Sequence, residues 1–350
     1  MASEINRRDF IKATAAAGVV ILGGELLKGS SIAQGMVNIP EVEKMVITVI
    51  TDNYYDLLRG NEKIAVRHQP TGTILNAGVH AEHGLSFHIE TTLQDRSHAC
   101  MFDFGVDPHG VMKNLSLFKI DLGKVKALGV SHDHFDHQAA LQEILKTKKG
   151  EFSGTIPLYV GKEFFMGTYN RLPNGVLVDL LSLKREDIEG LGFVKIVETK
   201  DPTPIIPGAY LSGKIDQVTE YEKIPPFFVT KRAGNIVPEQ FIGEQAVILN
   251  AKGKGLVVIS GCAHRGIVNA VKQAQKITGV EKIYAVIGGF HLAGVKPEIV
   301  QKTIEDIKKI NPQYIVPTHC TGFEAITAFA REMPEQFILN TAGTKYIIKV

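Results

Sequence analysis

The chain has 350 residues, of which 44% are hydrophobic and 22% charged. That composition supports a sizeable buried core and excludes a disordered polymer; the length suits one large α/β domain or about two smaller ones. Lys and Arg number 39 against 37 Asp and Glu, a formal charge of +2 that excludes nucleic-acid binding through bulk basicity, and three cysteines exclude a disulfide scaffold.

Residues 1–33 read as an address rather than as fold. Arg7-Arg8 is followed by Phe10 and Lys12, then by an apolar run from Ala13 to Leu27 and a small-residue pattern at Ser31-x-Ala33. The arginine pair in this setting resembles a twin-arginine signal. It implies the twin-arginine export machinery as a partner and a periplasmic or other extracytoplasmic location. The apolar run would span roughly 22 Å as a helix, against roughly 30 Å of bilayer core, and Glu25 lies inside it, so no stable membrane span is expected. The competing reading is the basic amphipathic N-terminal helix of a cytosolic protein. Twin-arginine export moves folded proteins, so a metal site can be assembled in the reducing cytosol. Cys100, Cys262 and Cys320 fit that history better than a disulfide framework does.

Residues 34–44 read as a linker, and the domain proper is expected over 45–350. Strands are predicted at Met45–Thr51, Leu85–Glu90, Ala99–Phe104, Val125–Val130, Ile156–Val160, Gln245–Asn250, Gly255–Ser260, Lys282–Ile287, Tyr314–Pro317 and Lys345–Val350. The early ones resemble hairpins and the later ones are separated by helical patterns. Core-facing helix stripes are predicted at Leu141, Ile144 and Leu145, and at Ile267, Val268, Val271 and Ala274. Pro297 opens a third stripe at Ile299, Val300, Ile304 and Ile307, and a fourth runs through Phe323, Ile326 and Phe329. Residues 200–240, rich in Pro, Gly and polar groups, are expected to form a long loop excursion of the binding-loop kind rather than core.

The informative segment is Ser131-His132-Asp133-His134-Phe135-Asp136-His137, placed between an apolar strand and a helix. Three His and two Asp in six residues are costly unless something binds them. Imidazoles at i and i+2 of an extended turn can converge on one ion. Asp136 and His137, at the helix start, can reach a second ion about 3.5–4 Å away. No G-x-x-x-x-G-K-[ST] phosphate loop is present.

The segment resembles the signature of the metallo-β-lactamase superfamily. Further motifs narrow the likeness: Asp52-Asn53-Tyr54, Glu82-His83-Gly84, Asp103-Phe104-Gly105, Lys113-Asn114, Gly243-Glu244-Gln245, Gly261-Cys262-Ala263-His264, Gly288-Gly289-Phe290-His291 and His319-Cys320-Thr321-Gly322. Together they are similar to the branch of metal-dependent hydrolases named for 7,8-dihydropterin-6-methyl-4-(β-D-ribofuranosyl)aminobenzene-5′-phosphate synthase. The resemblance implies a four-layer αββα sandwich with a two-metal site at one edge. It implies His132, His134, Asp136, His137 and His319 as ligands. Most members add a His and, some twenty residues on, a bridging Asp; here Gly261-Cys262 stands where that Asp is expected. His264 is taken as the missing imidazole. Cys262 reads either as a thiolate ligand or as a small residue packed beneath the site. His291 reads as a ligand, a substrate contact or a residue orienting a ligand.

Such donors suit two divalent ions, Zn²⁺ first, with Fe or Mn as alternatives. An oxygen-reducing di-iron relative would carry H-x-E-x-D, and here that Glu is His134. The expected activity is hydrolysis of a small ester-like molecule, a phosphoester or lactone, by hydroxide held on the metals. Asp136 would orient it and His291 would act at the substrate. The alternatives are a pterin-pathway synthase and a non-catalytic metal-dependent binding protein. Asp103 is expected as a structural carboxylate near the metal loop. Glu82 and His83 either line the pocket or hold a turn, and Asn114 is a candidate substrate contact. His68, His80, His88, His98 and His109 read as surface or structural.

Overall fold

The computed structural model describes residues 36–69 and 78–350; the export segment expected over 1–33 lies outside them. Two large sheets face each other. One has eight strands, in the order Val194–Thr199, Ile156–Gly161, Val125–Gly129, Arg96–Phe102, Ser86–Leu93, Lys44–Thr51, Lys345–Lys349 and Ala65–Val66. The other has seven: Thr203–Ile206, Ala209–Leu211, Val247–Ala251, Gly255–Ser260, Ile283–Gly289 and Tyr314–Thr318, with Glu41–Val42 paired in parallel beside Val247–Ala251. All ten strands expected from apolar runs are present within a few residues of their predicted bounds.

The strands are apolar on both faces because both faces are covered. Ile47, Val49, Phe87, Ile89 and Phe102 of one sheet pack on Leu249, Val257, Ile259, Ile287 and Val316 of the other. The helices Ile267–Thr278, Pro297–Ile310 and Phe323–Glu332 cover the outer face of the seven-stranded sheet. The helices Pro108–Leu117 and Leu141–Lys148 cover that of the eight-stranded sheet. The result is the four-layer αββα sandwich. No helix of the described residues is long and apolar enough to cross a membrane.

Local chemistry sets the element ends. Pro297 sits in the first turn of its helix with Glu298 beside it. Lys308 and Lys309 occupy the last turn, and Asn311 closes the helix in the left-handed region. Gln94 and Asp95, both at positive φ, make the tight turn of the hairpin between Ser86–Leu93 and Arg96–Phe102.

Three expectations are corrected. Residues 200–240 are not one loop. Thr203–Ile206 and Ala209–Leu211 belong to the seven-stranded sheet, and Ile205, Ile206, Ala209 and Leu211 enter the central core. Pro204 is tolerated because its strand is at the sheet edge. Phe228–Arg232 and Asn235–Pro238 join Thr168–Arg171 and Leu177–Asp179 in a small third sheet. Within the stretch read as a linker, Glu41–Val42 is already paired and Ile39 is buried. Phe323 does not face the core: it is 78% exposed, while Ala325 and Phe329 carry the buried side of that helix.

Candidate metal centre

The functional side chains sit on loops that leave the ends of strands along one rim of the sandwich. Asp103 follows Arg96–Phe102, and Ser131 to His137 follow Val125–Gly129. Cys262 and His264 follow Gly255–Ser260, His291 follows Ile283–Gly289, and His319 follows Tyr314–Thr318. Four of the residues on these loops, Asp103, Ala263, His291 and His319, are non-glycine residues at positive φ. That backbone is costly and persists only where its surroundings hold it.

Two groups of donors form. In the first, His264 Nε2 lies 3.2 Å from His132 Nε2 and 3.1 Å from His134 Nδ1. In the second, His319 Nε2 lies 3.0 Å from Asp136 Oδ2, and His137 Nε2 lies 3.0 Å from Cys262 Sγ. Cys262 Sγ also groups with His264 and His291, so the thiol stands between the two sets.

Behind the rim, one carboxylate organises a ligand in each group. Asp103 accepts from the Ser131 backbone N–H at 2.7 Å, from Ser131 Oγ at 2.8 Å and from His137 Nδ1 at 2.7 Å. With its own hydrogen given to Asp103, Ser131 Oγ accepts from His132 Nδ1 at 2.9 Å. Both rings therefore carry their proton on Nδ1 and turn a free Nε2 lone pair to the rim. The loops approach so closely that a Cβ at Gly261 would strike Ser131 Oγ and sit 3.0 Å from Asp103 Oδ2.

Glu244 holds the other side, accepting from the backbone N–H of His264 at 2.6 Å and of Arg265 at 2.7 Å. Phe241 stacks on the His264 ring with centroids 4.1 Å apart, and Phe228 of the small sheet packs 5.1 Å from the His134 ring. Asp133 accepts from Thr168 Oγ1 at 2.9 Å and ties the metal loop to that sheet.

No family model matches the chain. It is 33% identical over 271 residues to the 7,8-dihydropterin-6-methyl-4-(β-D-ribofuranosyl)-aminobenzene-5′-phosphate synthase of Methanocaldococcus jannaschii, covering 77% of this chain and 90% of that one. A second, uncharacterized protein of that organism is 30% identical over 255 residues, 72% of this chain and 88% of the other. Among solved structures, Tm1679, a metal-dependent hydrolase of the β-lactamase superfamily, superposes with a TM-score of 0.66 at 24% identity, covering 86% of this chain and 98% of that one. The chain belongs to the family of that synthase, and its fold is that of the metallo-β-lactamases.

The donor set fits divalent metal ions. Three imidazole nitrogens meeting within hydrogen-bond distance leave at least one facing contact without a proton to share, and a cation resolves that. Among the described residues, His134 Nε2 and Asp136 Oδ1 are buried and have no hydrogen-bond partner. Burial and the neighbouring imidazoles hold His132 and His264 well below the usual histidine range. Burial brings His134 down to about 3 against the pull of Asp136. The first group is thus neutral imidazole, the form that binds metal. In the second group burial opposes charge, but His137, His319 and His134 outweigh it and hold the Asp136 carboxyl well below its ordinary value. Against the same burial, Asp103 and Asp136 raise His137, and the hydrogen bond of His319 to Asp136, together with the nearby Cys320 side chain, raises His319 to about 9. A cation entering this group would compete with a proton at His319.

The structure brings together all seven sequence-predicted site residues: His132, His134, Asp136, His137, His264, His291 and His319. His291 sits at the half-exposed mouth, its ring 4.0 Å from that of His264. The Glu82–His83 pair divides its roles. Glu82 holds the turn by accepting from the Val106 and Asp107 N–H groups, whereas His83 lies over the site, stacked on His319 at 4.8 Å. Asn114 does not reach a ligand. It is fully buried and bonded to Ile50 O and to both backbone groups of His80. Sequence reasoning missed Ser131, Phe228 and Phe241. The serine is signalled only by its place next to His132, and the two phenylalanines by nothing beyond hydrophobicity.

Proposed function

We propose that the protein is a dinuclear metal-dependent hydrolase acting on a small ester-like substrate, a phosphoester or a lactone. The observation that carries this reading is the pair of donor groups, His132/His134/His264 and Asp136/His137/Cys262/His319, side by side on one rim. Divalent ions there, Zn²⁺ by the donor chemistry, would supply Lewis acidity and bring the pKa of water far below ~15.7. The protein's own contribution is positioning. Asp103 and Ser131 fix which nitrogen of His132 and His137 is free, and Asp136, ionised, is placed to orient the attacking water. Phe228 and Phe241 pack against the imidazoles and keep bulk water from them. His291, at the mouth, is placed to contact the substrate. Export by the twin-arginine route is part of the same reading and is supported by residues 1–33.

The test measures metal per chain after mild dialysis, and turnover of an ester, lactone and phosphodiester panel by wild type and His134→Ala. Two ions per chain and turnover lost in the variant are expected. Fewer than one tightly held ion, or equal rates in both proteins, overturns the reading. A pterin-pathway synthase is the second reading, supported by the name of the 33% identical relative. Turnover of a pterin pyrophosphate in the absence of any ester hydrolysis would put it first.

A further inference from the structure

Beside the metal centre lies a second concavity, of about 440 Å³, which shares His319 with it. Its walls are Tyr54, Phe323, Ile326, Phe337 and Leu339. Most polar side-chain atoms in the lining are committed to other protein groups; the buried Asp52 Oδ1 and His319 Nδ1 are not. Thr318 Oγ1 and Asn340 Nδ2 both donate to Asp52 Oδ2, Asn340 Oδ1 accepts from Tyr346, and Asn53 Nδ2 donates to His319 O. A ligand there meets a mostly apolar surface with few polar atoms left to bind it. Phe323 and Tyr54 remain 78% and 43% exposed at its rim, a cost in apolar hydration that a monomer seldom leaves concentrated around a cleft. His83 stacks on His319 with its own side chain 59% exposed, so a flat aromatic face borders the reacting end.

We propose that this cavity is the subsite for the non-reacting part of the substrate, and that it takes an uncharged, ring-sized apolar group while the ester end reaches the rim at His319 and Asp136. The inference rests on the hydrolase reading and narrows it to substrates that pair a hydrolysable polar group with an apolar body. Phe323 and Ile326, one turn apart on the helix Phe323–Glu332, are the specificity-determining positions. The volume accommodates a bicyclic ring, and removing such a group from water supplies a tenfold to roughly hundredfold gain in binding.

Two measurements test it. The first is direct binding of the uncharged fluorescent probe N-phenyl-1-naphthylamine to the wild-type chain, Phe323→Ala and Ile326→Arg. Thermal melts check that the variants fold, which is expected because both positions lie on the open side of the helix. Binding weakened about tenfold or more in Ile326→Arg is expected. The second is the KM for methyl p-nitrophenyl phosphate against that for 1-naphthyl p-nitrophenyl phosphate, which share a leaving group. Wild type should favour the naphthyl ester through KM, and Ile326→Arg should lose that preference. Probe binding indifferent to both substitutions overturns the proposal. So does a dimer that Phe323→Ala converts to monomer with no change in probe binding, because the cavity is then an interface. If neither ester is hydrolysed while the probe still responds to Ile326→Arg, the cavity stands and the hydrolase reading falls.

Discussion

Replacing Asp103 by Asn is the most informative single change. Asn keeps the size of the side chain, and its Oδ1 can still accept from the Ser131 N–H. At the other branch an acceptor becomes a donor. Asp103 Oδ2 now takes a hydrogen from Ser131 Oγ at 2.8 Å and from His137 Nδ1 at 2.7 Å; an amide N–H₂ there opposes both. His137 relieves the clash by moving its proton to Nε2, the atom 3.0 Å from Cys262 Sγ, and so loses the lone pair it turns to the rim. Ser131 relieves it by turning its hydrogen towards His132 Nδ1, which moves the His132 proton to Nε2 as well. One substitution therefore blocks a ligand in each donor group. Outer partners of metal-binding histidines are worth about ten- to a hundredfold in affinity each. The two charge-assisted hydrogen bonds lost inside a fully buried network are each worth about 1.5–3 kcal/mol of folding stability. Chelator competition on the purified variant reads the first effect, and urea denaturation of the metal-free protein the second. Ser131→Ala separates the arms: it spares the His137 bond and should weaken only the His132 group. Metal retained by Asp103→Asn within about twofold of wild type would refute the tautomer argument.

Other outcomes follow from the same geometry. In the cobalt-loaded protein, a sulfur-to-metal charge-transfer band is expected from Cys262; it should vanish in Cys262→Ser and persist in Cys320→Ser, and a band surviving the first change removes the thiol from the ligand set. Far from the rim, burial and Lys345 bring His88 down from 6.5 to about 4. The unfolded chain then binds more protons in this interval, so stability falls as pH drops from about 6.5 to 4, by up to about 3 kcal/mol from this residue. Glu90, 3.6 Å from His88 Nδ1, opposes the effect, and His98 and Lys119 line the same cleft. Urea midpoints across that range should show the slope in wild type and a flatter one in His88→Gln; identical slopes would refute it.

The legible part of the molecule was the part that repeats a physical rule. Strands covered on both faces, such as Gly255–Ser260, are unbroken apolar runs and stand out in sequence. Pro297 and Asn311 bracket their helix for reasons visible in the residues themselves. The cluster from His132 to His137 is conspicuous because nothing but a ligand justifies its density. What stayed hidden depends on distant pairing. Thr203–Ile206 has a proline and only four residues, and becomes a strand because Ala209–Leu211 and then Val247–Ala251 lie beside it. Phe323 fits a core stripe by spacing alone, and only the packing of Phe329 and Ala325 shows that the stripe is rotated away from it. Ser131 acquires its role from Asp103, 28 residues earlier in the chain.

The donors are divided between the two halves of the sandwich. His132, His134, Asp136 and His137 hang from the eight-stranded sheet, and Cys262, His264 and His319 from the seven-stranded one, yet each group draws on both. A cation held by either group is therefore a rivet through the open end of the layered body, fastening pieces of chain more than a hundred residues apart. Stripping the metal should loosen the seam there first, leaving the central core of Ile47, Leu249 and their neighbours packed. Tight binding and a closed rim are then the same event, and each makes the other cheaper.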